Sequence, residues 1–149
     1  MIQRKQSLFL LIALLLTIAC LCLPIGFISP KGMGVDLVVN NLSITGSQAE
    51  YTGWPLFAIL LLTTPVCLAT IFLFNNRKLQ MKLCMLIVVL FGAWIGYFVV
   101  SYLNVFTTLG DFRPNWSAAL PIVSAILTVM ARSAIKADDE LVRSADRIR

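Results

Sequence analysis

The sequence predicts an all-α integral membrane protein with four transmembrane helices and both termini on the cytoplasmic side. Three observations carry that reading. Residues 6–30, 51–76, 83–110 and 114–131 contain no charged side chain. Charged residues make up only 13% of the chain and hydrophobic ones 59%, against roughly 25% charged in a soluble domain. Ten of the twelve basic residues fall on one side of the membrane that the four windows imply, and such an excess marks the cytoplasmic side. The 149 residues form a single integral membrane domain.

The first apolar run, about residues 7–28, follows Arg4 and Lys5. A basic start before an apolar run resembles a secretory leader, but no A-x-A site follows and the run is long enough to cross about 30 Å of hydrocarbon. It is therefore expected to stay as a span, loosened at its outer end by Pro24 and Gly26. The second run covers about 54–74 and carries Thr63-Thr64-Pro65 at its middle. Proline removes a backbone donor, so a kink is expected there, with a threonine hydroxyl or a neighbouring helix satisfying the freed carbonyl.

The third run, about 83–103, contains Gly92-Ala93-Trp94-Ile95-Gly96. Glycines four apart leave a flat strip where another helix can come close. Gly92 and Gly96 are the candidate helix-packing residues, and the pattern serves equally inside one chain or between two. The fourth run, about 114–131, repeats Ser117, Pro121, Ser124, Ala125 and Thr128 at spacings of three and four. That small-residue face is expected to turn inward.

Between the spans lie a short basic inner connector, 75–82, and an outer loop, 29–53. In the outer loop, Val35–Val39 and Leu42–Thr45 flank Asn40-Asn41. The pattern reads as a small β-hairpin, since asparagine tolerates the positive φ of a two-residue turn. A lone hairpin is marginal in water, so it is expected to lie on the membrane or on the third-to-fourth connector, 104–113. Asp36, Glu50, Asp111 and Arg113 are the outer charges that a binding site there would use, although solvated loop charges are the plainer reading. Trp54, Trp116, Tyr51 and Tyr102 form an aromatic belt at the same interface.

The cytoplasmic tail, 132–149, has no proline or glycine, so the fourth helix can continue through it. Asp139–Arg143 and Glu140–Arg143 are favourable helical ion pairs. Leu141, Ala145 and Ile148 form a short apolar stripe at spacings of four and three. They are the candidate partner-docking residues, and the surface that covers them can be the inner connector, the headgroup zone or another protein.

The opening Met1-Ile2-Gln3-Arg4 and the closing Asp139-Glu140-Leu141-Val142-Arg143-Ser144-Ala145-Asp146-Arg147-Ile148-Arg149 together resemble a family of small four-span membrane proteins of Bacteroidota-type bacteria, domain of unknown function 4293. The resemblance covers the whole chain and implies a bacterial inner-membrane location. It implies no activity, and no residue carries over from it as catalytic or ligand-binding.

Several chemistries are excluded by composition. The chain has no histidine, which removes His-based triads, the usual zinc sets and haem ligation by imidazole. Cys20, Cys22, Cys67 and Cys84 read as small apolar fillers without an evident disulfide. No ionisable side chain lies in any span, although membrane machines usually keep one there. The net charge of +5 flanks spans and does not interleave with exposed aromatics, so no nucleic acid is expected as a partner. The bilayer is the expected partner, together with another membrane protein or further copies of the chain. No cofactor, metal or catalytic residue is expected, and the chain is read as no enzyme. The function expected is a non-enzymatic accessory or scaffold subunit of a membrane complex. The alternative is an oligomeric carrier or channel for a neutral or lipid-like substrate.

Overall fold

A computed structural model describes residues 3–31, 34–46, 53–73 and 76–147. Four antiparallel helices dominate: α1 Gln3–Cys22, α2 Trp54–Phe72, α3 Arg77–Ser101 and α4 Leu120–Arg147. They form a square. α1 and α3 each pack on both α2 and α4, while the diagonal pairs scarcely touch. Three of the helical stretches, Trp54–Phe72, Arg77–Leu109 and Trp116–Ser144, are long and apolar enough to cross a membrane. The apolar part of α1, Gln6–Cys22, is shorter.

The expectation of an all-α fold needs correction. A four-stranded antiparallel sheet caps one end of the helices, with strand order β3-β2-β1-β4. Its strands are β1 Gly26–Pro30, β2 Leu37–Val39, β3 Ile44–Thr45 and β4 Gly110–Pro114. The β2–β3 hairpin is half of this sheet. The other half pairs Gly26 with Pro114 and Pro30 with Gly110, joining the end of the first apolar run to the connector before α4. The physical reason is the accounting of backbone groups. Pro24 ends the helical ladder of α1, and the amides and carbonyls that follow need other partners. They find them across the sheet and at Asn115, whose N–H donates to the Ile25 carbonyl at 2.8 Å. The first helix therefore stops at Cys22, short of Ile28.

The sheet buries one face. Ile28, Leu37, Val39 and Ile44 point onto Phe106, with Phe98, Val105, Leu109 and Phe112 around them, while Phe27 between Gly26 and Ile28 is exposed. This is the period-two alternation of a half-buried sheet. The aromatic rings beneath it stack. Phe106 and Phe112 lie 4.9 Å apart at 21°, and Phe98 lies 5.3 Å from Trp94 at 4°. The rings reach the sheet because α3 does not end at Ser101. It widens into a π-helical turn, Tyr102–Phe106, and closes with Thr107–Leu109.

Within the helices, hydroxyls fold back onto the preceding turn. Thr17 donates to the Ala13 carbonyl at 2.7 Å, Thr70 to Val66 at 2.7 Å and Thr128 to Ser124 at 2.8 Å, so these hydroxyls are not left unpaired in an apolar surrounding. α2 runs unbroken through Pro65. The carbonyl that Pro65 frees belongs to Leu61, yet Thr63 and Thr64 donate to Ile59 and Leu60, so the expected repair by a threonine hydroxyl does not occur. Of the face expected to turn inward, Ser117, Pro121, Ser124 and Thr128 are buried and Ala125 is half-buried. It lies along α1: Ser124 donates to the Ala13 carbonyl at 3.4 Å, and Ser117 donates to that of Pro24.

Candidate functional site

Three places could carry function: the buried polar group at the sheet end, the outward face of α3, and the opposite, basic end of the bundle.

At the sheet end, Asn41 reaches from the β2–β3 turn into the gap between the diagonal helices. Its Nδ2 donates to the Cys20 carbonyl at 2.6 Å, and its Oδ1 accepts from Trp94 Nε1 at 3.2 Å. Asn41 and Trp94 are each only 1% exposed. The turn does not use asparagine for a positive φ, since no described non-glycine residue has one. Four residues link the strands, closed by Asn40 N–H donating to the Ser43 carbonyl at 2.9 Å. Asn41 is there for its side chain, which carries both a donor and an acceptor. It ties α1 to α3 across the square and fills the mouth of the bundle. The Asn-Asn pair in the sequence signals a turn and gives no sign of this burial.

On α3, Trp94 faces inward, so Gly92 and Gly96 face out. Both are exposed, and a Cβ added to either would meet nothing within 4 Å. Val89, Val99 and Val100 are exposed beside them, and among the described residues no other helix packs on the two glycines.

At the basic end, the tail continues α4 as one helix to Arg147. Arg77 at the start of α3 holds it. The guanidinium lies 3.2 Å from Asp138 Oδ2 and donates to the Asp138 carbonyl at 3.3 Å. Gln6 of α1 donates to the Ala134 carbonyl at 3.0 Å. Ile135 packs into the cluster of Leu10 and Cys84, and past Asp138 the described side chains are largely exposed. Leu141 is 57% exposed, so the inner connector does not cover it. The side chain of Ala145, and Ile148, lie outside the described residues. The Asp139–Arg143 pair forms at 3.0 Å, whereas Glu140 turns to Lys136 at 3.8 Å and not to Arg143.

The remaining candidates do not assemble. Asp36, Asp111 and Arg113 are exposed and make no ion pair among the described residues, and Glu50 lies outside them. Asn104 donates to its own helix at Val100. All four cysteines are free, with Cys20, Cys67 and Cys84 buried. Among the described residues no group of three His, Cys, Asp or Glu side chains could hold a metal ion.

No curated protein matches the chain. One family model does, and it runs from residue 2 to residue 148. With the match reaching into both terminal signatures and over every element of the bundle and sheet, the chain belongs to the family described as a domain of unknown function (DUF4293).

Proposed function

We propose that this chain is a four-span protein of a bacterial inner membrane, with both termini cytoplasmic, acting as a non-enzymatic accessory or scaffold subunit of a membrane complex. The four-span reading is supported by the register of α1 on α4. Contacts at Gln6–Ala134, Ala13–Ser124 and Pro24–Ser117 run the length of the apolar part of α4, so a membrane crossed by one is crossed by the other. The apolar part of α1, Gln6–Cys22, reaches about 25 Å, and the apolar residues 23–30 extend the run into the sheet. The sidedness is supported by Arg77 and Arg132, which sit at the end of the bundle away from the sheet, and by the rule that Lys and Arg stay inside.

The observation that carries the scaffold reading is the empty strip at Gly92 and Gly96. Glycine in a helix interior costs about 1 kcal/mol relative to alanine, and no contact among the described residues offsets it. Close approach of a helix from another chain would. The interior, by contrast, is filled. Phe91, Trp94, Leu60 and Ile87 are buried in its middle, and Asn41 occupies its sheet-end mouth, which favours a binding surface over a conduit.

The test is native electrophoresis of membranes solubilised in mild detergent. The wild-type chain should migrate in an assembly larger than itself. Gly92→Leu with Gly96→Leu should shift it to the mass of the lone chain, with its thermal melting unchanged because nothing in the chain occupies that space. A wild-type chain that migrates alone would remove the scaffold reading.

A further inference from the structure

We infer that the groove between the start of α3 and the outer flank of α4 at the basic end holds the phosphate headgroup of an anionic bilayer lipid. The inference rests on the membrane reading above. The groove has a volume of about 510 Å³ and is lined by Met81 of α3 and by Arg132, Ser133, Lys136, Asp139, Glu140 and Arg143 of α4.

Depth comes first. Arg132 is the first charge after the apolar run 114–131. Ala131, on its membrane side, is buried with Leu10 and Cys84, and Ile135, one turn further along the helix, joins the same cluster. The groove thus opens where hydrocarbon gives way to headgroups, and Met81 offers an apolar wall to the top of an acyl chain.

Charge is the second argument, and it is unevenly distributed. Asp139 is engaged by Arg143 at 3.0 Å. Glu140 touches Lys136 only loosely, at 3.8 Å with both side chains about two-thirds exposed or more, and a pair of that kind contributes little. Arg132 has no carboxylate partner among the described residues. Arg132 and Lys136 are one helical turn apart and share a face, and both acids lie further from the membrane. A phosphate entering from the bilayer therefore meets a guanidinium and an ammonium before any carboxylate. A guanidinium offers two parallel N–H donors that match phosphate oxygens, and basic clefts at the cytoplasmic ends of spans suit such headgroups.

The experiment uses the full chain, purified in mild detergent and exchanged into nanodiscs of phosphatidylcholine mixed with phosphatidylglycerol. Lipid that remains bound on release is read by native mass spectrometry. One phosphatidylglycerol per chain should be retained over phosphatidylcholine. Arg132→Gln with Lys136→Gln should lower that retention about tenfold, while Lys78→Gln with Lys82→Gln, which changes the same net charge outside the groove, should not. Because Arg132 and Lys136 are exposed, both variants should melt with the wild type. Equal retention of the two lipids, or equal loss in the two variants, would overturn the inference. So would displacement of the lipid by inorganic phosphate at matching concentration, which would assign the groove to a soluble phosphate ligand. A competition between the two lipids on the unmutated chain repeats the test without any substitution. Release of the chain from membranes by alkaline carbonate would instead overturn the membrane reading itself, so the two failures are distinct.

Discussion

Asn41→Leu should destabilise the folded chain by about 3 kcal/mol, among the largest single-residue effects in the molecule. The leucine fills nearly the same space, so the loss is polar and leaves no cavity. It strands two groups at once. The Cys20 carbonyl loses the donor at 2.6 Å and the Trp94 indole N–H loses the acceptor at 3.2 Å. Both groups are buried, and an orphaned buried group costs about 1–3 kcal/mol. The neighbouring Asn40 makes a side-chain hydrogen bond to Thr45 at 3.4 Å on the exposed side of the turn. Asn40→Leu should therefore change stability by about 0.5 kcal/mol or less. Thermal melting of both variants in the same detergent decides the matter. If Asn41→Leu melts together with Asn40→Leu, the amide is not what joins α1 to α3.

A comparable loss is expected for Gly110→Ala. Gly110 faces Pro30 in the β1–β4 ladder. A methyl group there would overlap the backbone carbonyl of Ser29 and sit 3.0 Å from Pro30 Cα. The obstacle is main chain on an adjacent strand, so no rotamer change relieves it. The strands must part, at a cost of about 3 kcal/mol or more, and the ring stack under the sheet loosens with them. Gly92→Ala is the internal comparison. Its added methyl meets nothing, and alanine is the better helix former by about 1 kcal/mol, so the isolated chain should melt at the same temperature or slightly higher. Far-ultraviolet melting of the two variants should separate them clearly, and matching curves would mean that β1 and β4 are not closely paired.

The helices and the β2–β3 hairpin were largely legible and the β1–β4 half of the sheet was not, for a physical reason. A charge-free window sets a limit on where a helix can cross, and Trp54, Arg77 and Leu120 begin helices close to where those windows open. A window cannot say where the helix stops. Residues 24–30 are as apolar as the helix before them, and a short apolar run does not distinguish strand from helix by its periodicity. Pro24 was the one local signal. β4 carries Asp111 and Arg113 and reads as a polar connector, because its strand character exists only in partnership with β1. Sites followed the same division. The Asp139–Arg143 pair is a matter of helical spacing and was readable. Arg77 with Asp138, and Asn41 with Trp94, depend on how distant segments meet, which spacing along one chain does not encode. Gly92 and Gly96 were readable as a glycine pair on one helix face, but which way that face turns depends on Trp94, whose indole N–H donates to the buried Asn41.

The pairing of Gly26 with Pro114 also sets an order of events during synthesis. β1 leaves the ribosome just after the first helix, whereas its β4 partner appears only when the third helix is complete. Until then the β4-facing edge of β1 has no strand beside it. The α1–α2 and α2–α3 contacts can form as each hairpin of helices emerges, but this part of the cap must wait. Its contacts are long-range ones, the kind that form late because loop closure precedes their gain. The cap is thus the point at which the chain registers that its third helix has been made.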